Sequence, residues 1–130
     1  MLLARRNRRQ YLKLREHARA FVHERIRHFN ASYQLRVGKV FIKNHKSRWG
    51  SCSEKGNLNF NYKIVLLPPE IADYIIVHEL CHLAEFNHSD RFWLLVAHAV
   101  SDHKRIRQSM RTLERSRTNV LQKITMGMIE

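Results

Sequence analysis

Apolar residues recur along this chain with two different periods, which separate helical from extended segments. From about residue 10 to residue 30 they recur at steps of three and four among arginines, a pattern that predicts an amphipathic helix. Residues 58–62 alternate between apolar and polar side chains, as expected for a strand with one buried face. Residues 37–43 predict another strand, and residues 51–53 form a short segment that could pair with these strands.

The second half of the chain predicts three helices. Prolines followed by acidic residues at 68–73 mark the start of a helix expected to end near Glu85. Ser89 is suited to cap a helix over residues 90–100, and a last helix is expected from His103. This order of elements predicts an α+β fold, in which a small, mostly antiparallel sheet packs against helices.

The length of the chain and the distribution of its charges indicate how the domain is organised. A chain of 130 residues suits a single domain, which we expect to span residues 1–130. The net charge of +13 is concentrated in the flanks, where residues 1–30 and 101–130 predict a basic N-terminal helix and a basic C-terminal helix. Such flanks either form solvated helix faces or favour phosphate-rich partners, including nucleic acid.

Hydropathy and cysteine content indicate the compartment. No run of apolar residues reaches the length of about 18 that spans a membrane, and the N-terminal apolar stretch is too short for a signal peptide. We therefore expect a cytoplasmic protein that does not enter a membrane. In that compartment Cys52 and Cys81 are expected to be free thiols, with Cys52 an alternative fourth metal ligand.

The run His78-Glu79-Leu80-Cys81-His82 is an H-E-x-x-H motif within the first of these three helices. Residues four apart on a helix lie about 40° apart around its axis, so both imidazoles can reach one metal ion. Glu79 projects beside that ion, where it can deprotonate a bound water, and His88 offers a third imidazole. Three histidines on Zn²⁺ leave the fourth position for water, which predicts a zinc-dependent hydrolase.

Sequence blocks around this motif resemble the YgjP-like metallopeptidase family, which is related to the SprT-type zincins. The blocks are Ser47-Arg48-Trp49-Gly50-Ser51-Cys52-Ser53, Gly56-Asn57-Leu58-Asn59-Phe60-Asn61, His78-Glu79-Leu80-Cys81-His82-Leu83, Asn87-His88-Ser89 and Phe92-Trp93. The resemblance implies a zincin-like fold in which His78, His82 and His88 bind zinc and Glu79 is the general base.

The identity of the third ligand has an alternative. Metzincins share this histidine spacing but carry a glycine that turns the chain after the helix, and Glu85 occupies that place here. Asn87 can adopt a left-handed conformation, so a different turn can bring His88 to the metal. In gluzincins a carboxylate takes the third position, which makes Asp90 or Glu85 the alternative to His88.

A hydrolase of this kind also needs a group that stabilises the developing oxyanion. Arg48, Asn59 and Tyr62 are the candidate substrate-binding residues, because they flank or lie on the strand expected beside the metal-binding helix. Arg48 has an equally weighted structural alternative, in which it pairs with Asp73 or Glu85 and only fastens its loop.

Three functions remain open at this point. The preferred one is a small zinc metallopeptidase, in which an exposed edge strand near residues 58–62 pairs with an extended peptide. A nucleotide substrate is the second, because the resemblance extends to family members described as UTP pyrophosphatases. In the third, basic flanking helices dock DNA and the metal centre acts on DNA-bound protein, as the SprT-type relatives suggest.

Overall fold

A computed structural model describes residues 2–45 and 47–116 of the chain. These residues form four α-helices and a small three-stranded sheet, and a short 3-10 helix links the last strand to the second α-helix. In chain order the elements are α1 Leu2–Tyr33, β1 Val40–Lys43, β2 Gly50–Cys52, β3 Leu58–Asn61, the 3-10 helix Tyr62–Leu66, α2 Pro69–Cys81, α3 Asp90–Ala99 and α4 His103–Ser116. The α+β fold expected from the sequence is confirmed.

Helix α1, expected over residues 1–30 with its apolar pattern starting near residue 10, spans Leu2–Tyr33 and so ends later than predicted. Arginine is a good helix former, so the basic residues before residue 10 continue the helix although no apolar periodicity marks them. The predicted C-terminal helix over residues 101–130 corresponds to α4, and its residues 117–130 lie outside the described part of the chain.

The sheet has the strand order β1-β3-β2 and is mixed, whereas a mostly antiparallel sheet was expected. A tight turn around Gly56, whose φ is +85°, joins β2 to β3 as an antiparallel hairpin. Strand β1 lies on the other side of β3 and runs parallel to it, with Val40 opposite Leu58. Alternation of side chains identifies strands but does not identify their partners, so it could not predict this parallel pairing.

Because β3 is the central strand, the expectation of an exposed edge near residues 58–62 is wrong. The two edges of the sheet are formed by β1 and β2. A peptide that adds to this sheet would therefore pair with one of those two strands.

Helix α2 runs through the centre of the core. Ten of its residues are buried, from Ile71 to Cys81 with the exception of Asp73. Side chains of α1, the sheet, α3 and α4 cover it on different sides, including Val22, Phe60, Phe92 and Ile106. In the described part of the chain, no helix combines the length and the apolar character needed to cross a membrane.

A bidentate ion pair connects α1 to α2. The Nε and Nη2 atoms of Arg25 donate to the two carboxylate oxygens of Asp73, each at 2.9 Å. Both side chains are about three quarters buried, with 23% and 26% exposed, which reduces solvent screening of the pair. The hydrogen bond to Asp73 also raises the pKa of Arg25 above its usual value.

We expect Asp73→Asn to lower the free energy of unfolding by about 1–2 kcal/mol, because it removes a charged partner from a partly buried, two-point contact. Urea denaturation measures the change. The matched control is Glu16→Gln, which weakens a pair between Glu16 and Arg19 on the exposed side of α1. Since that pair is largely solvated, its loss should cost less than about 0.5 kcal/mol, and equal losses in the two variants would contradict the prediction.

Candidate metal centre

The two histidines of the H-E-x-x-H motif lie at the C-terminal end of α2. The helix ends at Cys81, four residues earlier than expected, and His82 is its C-cap with α-helical angles of φ −63° and ψ −19°. Tight turns follow, in which the amide groups of Leu83 and Ala84 bond to carbonyls three residues back. This early reversal lets the chain return toward the helix end before α3 begins.

The reversal brings His88 to the other two histidines. The Nε2 atom of His88 lies 3.1 Å from Nε2 of His82 and 3.2 Å from Nε2 of His78. Zinc binds imidazole nitrogen at about 2.0–2.1 Å, and tetrahedral geometry then separates two such nitrogens by about 3.3 Å. The donor set and its spacing therefore fit a tetrahedral ion such as zinc.

The alternative ligands do not join this cluster. Among the described residues, the group that could hold a metal consists of His78, His82 and His88, without Glu85, Asp90 or Cys52. Glu85 contributes its backbone instead, because its carbonyl oxygen lies 3.1 Å from Nδ1 of His82. A carbonyl can only accept, so Nδ1 carries the proton and Nε2 presents a lone pair toward the cluster.

Aromatic side chains of α3 hold the three imidazoles in place. Phe92 is fully buried and stacks on His82, with ring centroids 4.4 Å apart at an interplanar angle of 23°. Trp93 stacks on His88 at 5.8 Å and 24°. The hydroxyl of Ser89 caps α3 by accepting from the amide of Phe92, which positions both aromatic residues beside the cluster.

Glu79 is fully buried between α2 and strand β2. A Cβ atom at Gly50 would lie 3.0 Å from Cγ and 3.3 Å from Oε2 of Glu79, closer than ordinary packing permits. Glycine at this position therefore allows the strand to approach the carboxylate. Burial, together with the charge of Glu79, raises the pKa of the Cys52 thiol to about 11, so this cysteine is protonated near neutral pH.

Two buried polar residues that the sequence reasoning missed fasten the loop that leads to Gly50. The amide of Asn61 donates to the carbonyl oxygens of His45 and Arg48, at 2.7 and 3.0 Å. From α4, the carboxylate of Glu114 accepts a 3.3 Å hydrogen bond from the indole of Trp49, which is buried in the core. Asn61 belongs to one of the family blocks, but the sequence does not indicate that either residue is buried.

Of the three predicted substrate-binding residues, Tyr62 is misassigned. Its side chain is fully buried, its hydroxyl donates to Gln10 at 2.9 Å, and its ring packs against the edge of Tyr11. Strand β3 ends at Asn61, so Tyr62 begins the 3-10 helix and turns toward α1. These contacts make Tyr62 an anchor for α1.

Asn59 also does not fit the role expected for it. It is paired with Ser51, and its amide donates to the Ser51 hydroxyl at 3.3 Å. Gly50 and its cross-strand partner Phe60 face α2. Because side chains alternate between the two faces of a sheet, Asn59 lies on the opposite face.

Arg48, the third candidate, has an exposed side chain in the loop before β2. Asp73, which was considered as its partner, binds Arg25.

This combination of features defines a class of protein. A small mixed sheet lies against a buried helix that carries H-E-x-x-H, and a third histidine arrives from the turn that follows, as in a zincin-like metalloprotein. The YgjP-like metallopeptidase domain matches residues 3–113, and the chain belongs to this family.

A solved structure supports the same assignment. The crystal structure of the metallopeptidase zymogen of Pyrococcus abyssi abylysin superposes with a TM-score of 0.62 and 28% sequence identity. The match covers 70% of this chain and 92% of that one. No curated protein matches the chain. The family implies a metal, and the histidine cluster is the place where this chain can hold one.

We expect His88→Ala to weaken zinc binding at least about 100-fold, because two imidazoles remain where three converge. Competition with a chromophoric zinc chelator measures the affinity, and circular dichroism checks that the variant is folded. His23→Ala is the control, since His23 is exposed on α1 outside the cluster. Unchanged affinity in His88→Ala would exclude this histidine as a ligand.

Proposed function

We propose that this protein is a zinc-dependent metallopeptidase in which His78, His82 and His88 hold the metal and Glu79 is the general base. The observation that carries the proposal is the convergence of three imidazole Nε2 atoms, with neighbouring separations of 3.1 and 3.2 Å, beside a buried glutamate. A zinc ion bound there would supply Lewis acidity and lower the pKa of a coordinated water toward about 7.

Glu79 suits the role of a base because of its position on the helix. It directly follows His78, and the packing of β2 against it limits the positions its carboxylate can adopt. In the proposed reaction Glu79 accepts a proton from the attacking water and later delivers it to the leaving amine. The burial that excludes solvent also strengthens the electrostatic interactions of this carboxylate.

The outer edge of β2 offers a binding site for an extended peptide. Within the described chain, β2 pairs with β3 on one side only, and its first residue, Gly50, lies against Glu79. A substrate that added to this edge by backbone hydrogen bonds would pass close to the general base. The proposed binding edge is therefore β2, and not residues 58–62 as the sequence suggested.

A three-histidine zinc site can act on carbonyl or phosphoryl centres, so the site alone does not decide between a peptide and a nucleotide substrate. We choose the peptide because of the family and the similar solved structure. Both the matching family and the similar solved structure are described as metallopeptidases. Nucleoside triphosphate hydrolysis and DNA-dependent activity remain predictions from the sequence, and a cytoplasmic location is likewise an expectation.

Glu79→Gln should reduce peptide turnover by about 10²–10⁴-fold while zinc content stays at one ion per chain, because the amide cannot accept the proton. Casein-derived peptides and nucleoside triphosphates are assayed in parallel on the zinc-loaded protein. Glu85→Gln is the matched control, since Glu85 contacts His82 through its backbone carbonyl, which this substitution keeps. Full peptidase activity in Glu79→Gln, or turnover of triphosphates alone, would overturn the proposed function.

Gly50→Ala should lower kcat about 10-fold or more without loss of zinc, because the added methyl group displaces the Glu79 carboxylate by a few tenths of an ångström. Turnover and zinc content are measured on the same preparation. Ser51→Ala, at the next position of β2, is expected to retain most activity because Ser51 faces Asn59. Equal activity in Gly50→Ala and wild type would show that the close contact is not needed.

A further inference from the structure

A groove of about 520 Å³ lies between α3 and α4, beside the histidine cluster. Its lining includes Trp93 and Asp90 from α3, and His103, Lys104 and Arg107 from α4. The volume is within the range of about 300–1,000 Å³ that is usual for ligand sites. None of these five residues is one of the metal ligands or the general base proposed above.

Trp93 connects the groove to the metal cluster. Its ring stacks on His88 and also on His103, in the latter case with centroids 5.2 Å apart at 18°. The guanidinium carbon of Arg107 lies 5.3 Å from the Trp93 ring centroid. His88 is the exposed member of the cluster, whereas His78 and His82 are buried. The groove therefore adjoins the side from which a substrate can approach.

The positive charge of the groove is carried by Lys104 and Arg107, and Asp90 is the acidic residue of its lining. Burial, followed by the charges of these two residues, lowers the pKa of His103 below its usual value, so its ring is neutral at pH 7. Arg105, between them in sequence, instead bonds to Asp102 and Glu70. The helix thus directs two cations to the groove and a third to acidic partners elsewhere.

We propose that this groove binds an acidic side chain of the peptide substrate, with Arg107 and Lys104 contacting the carboxylate and Trp93 packing against its methylene groups. The inference rests on the proposed peptidase function and adds a substrate class to it. Two cations suit one carboxylate, and the Asp90 carboxylate in the same lining disfavours a triphosphate, which concentrates negative charge. Arg107 can form the two-point contact that carboxylates accept from arginine.

The test uses pairs of peptides that are identical except for Glu or Gln at one position, with that position moved stepwise along both sides of a cleaved bond. Binding is measured on the zinc-loaded Glu79→Gln protein, and kcat/KM is measured on the otherwise unchanged enzyme. At one position we expect the Glu peptide to bind about 10-fold more tightly than the Gln peptide. The preference should decrease with added salt, because the contact is electrostatic and partly exposed.

Arg107→Gln should abolish this preference, whereas the matched variant Arg105→Gln should keep it. Peptide binding without a Glu preference at any position, or a preference that survives in Arg107→Gln, would overturn the inference. So would tight binding of UTP that depends on Arg107 while neither peptide binds. A Glu preference in binding that depends on Arg107, in a protein that cleaves no peptide, would support the groove and refute the peptidase function separately.

Discussion

The convergence of three imidazoles on one point is the constraint on which the rest of this structure depends. Two of these histidines lie inside the core, where polar groups are costly unless their nitrogens are satisfied. The helix that carries them is surrounded by apolar side chains and ends at Cys81, so that the following turn can return His88 to it. A longer α2, as its sequence pattern predicted, would carry the chain away from the cluster.

Side chains of the other elements pack against α2 and fix the groups around the metal centre. Asn61 fastens the loop before β2, Glu114 fixes Trp49 in that loop, and β2 then meets Glu79 through Gly50. On the other side, Phe92 and Trp93 pack against the imidazoles from α3. The positions of the reactive groups are therefore set by at least three other elements, and the same α3–α4 packing creates the cationic groove beside His88.

The sequence predicted those parts of the site that depend on local spacing. Histidines four apart on a helix share a face in any helix, so His78 and His82 could be paired without a structure, and the family resemblance identified the surrounding blocks. The polar partners were not predictable in this way. Asn59 and Asn61 occupy equivalent positions of one alternating strand, yet one is partly exposed and the other is buried beneath a loop. Tyr62 continues the same alternation but belongs to the next element. Such differences arise from long-range contacts, which strand periodicity does not report.

Zinc K-edge X-ray absorption of the zinc-loaded protein would identify the atoms that bind the metal. We expect three imidazole nitrogens and one further light atom at about 2.0–2.1 Å from the metal. We expect no sulfur neighbour, since Cys52 lies outside the cluster. A sulfur atom at about 2.3 Å, or a zinc ion with fewer than three imidazole ligands, would contradict the assignment of His78, His82 and His88 as the metal centre.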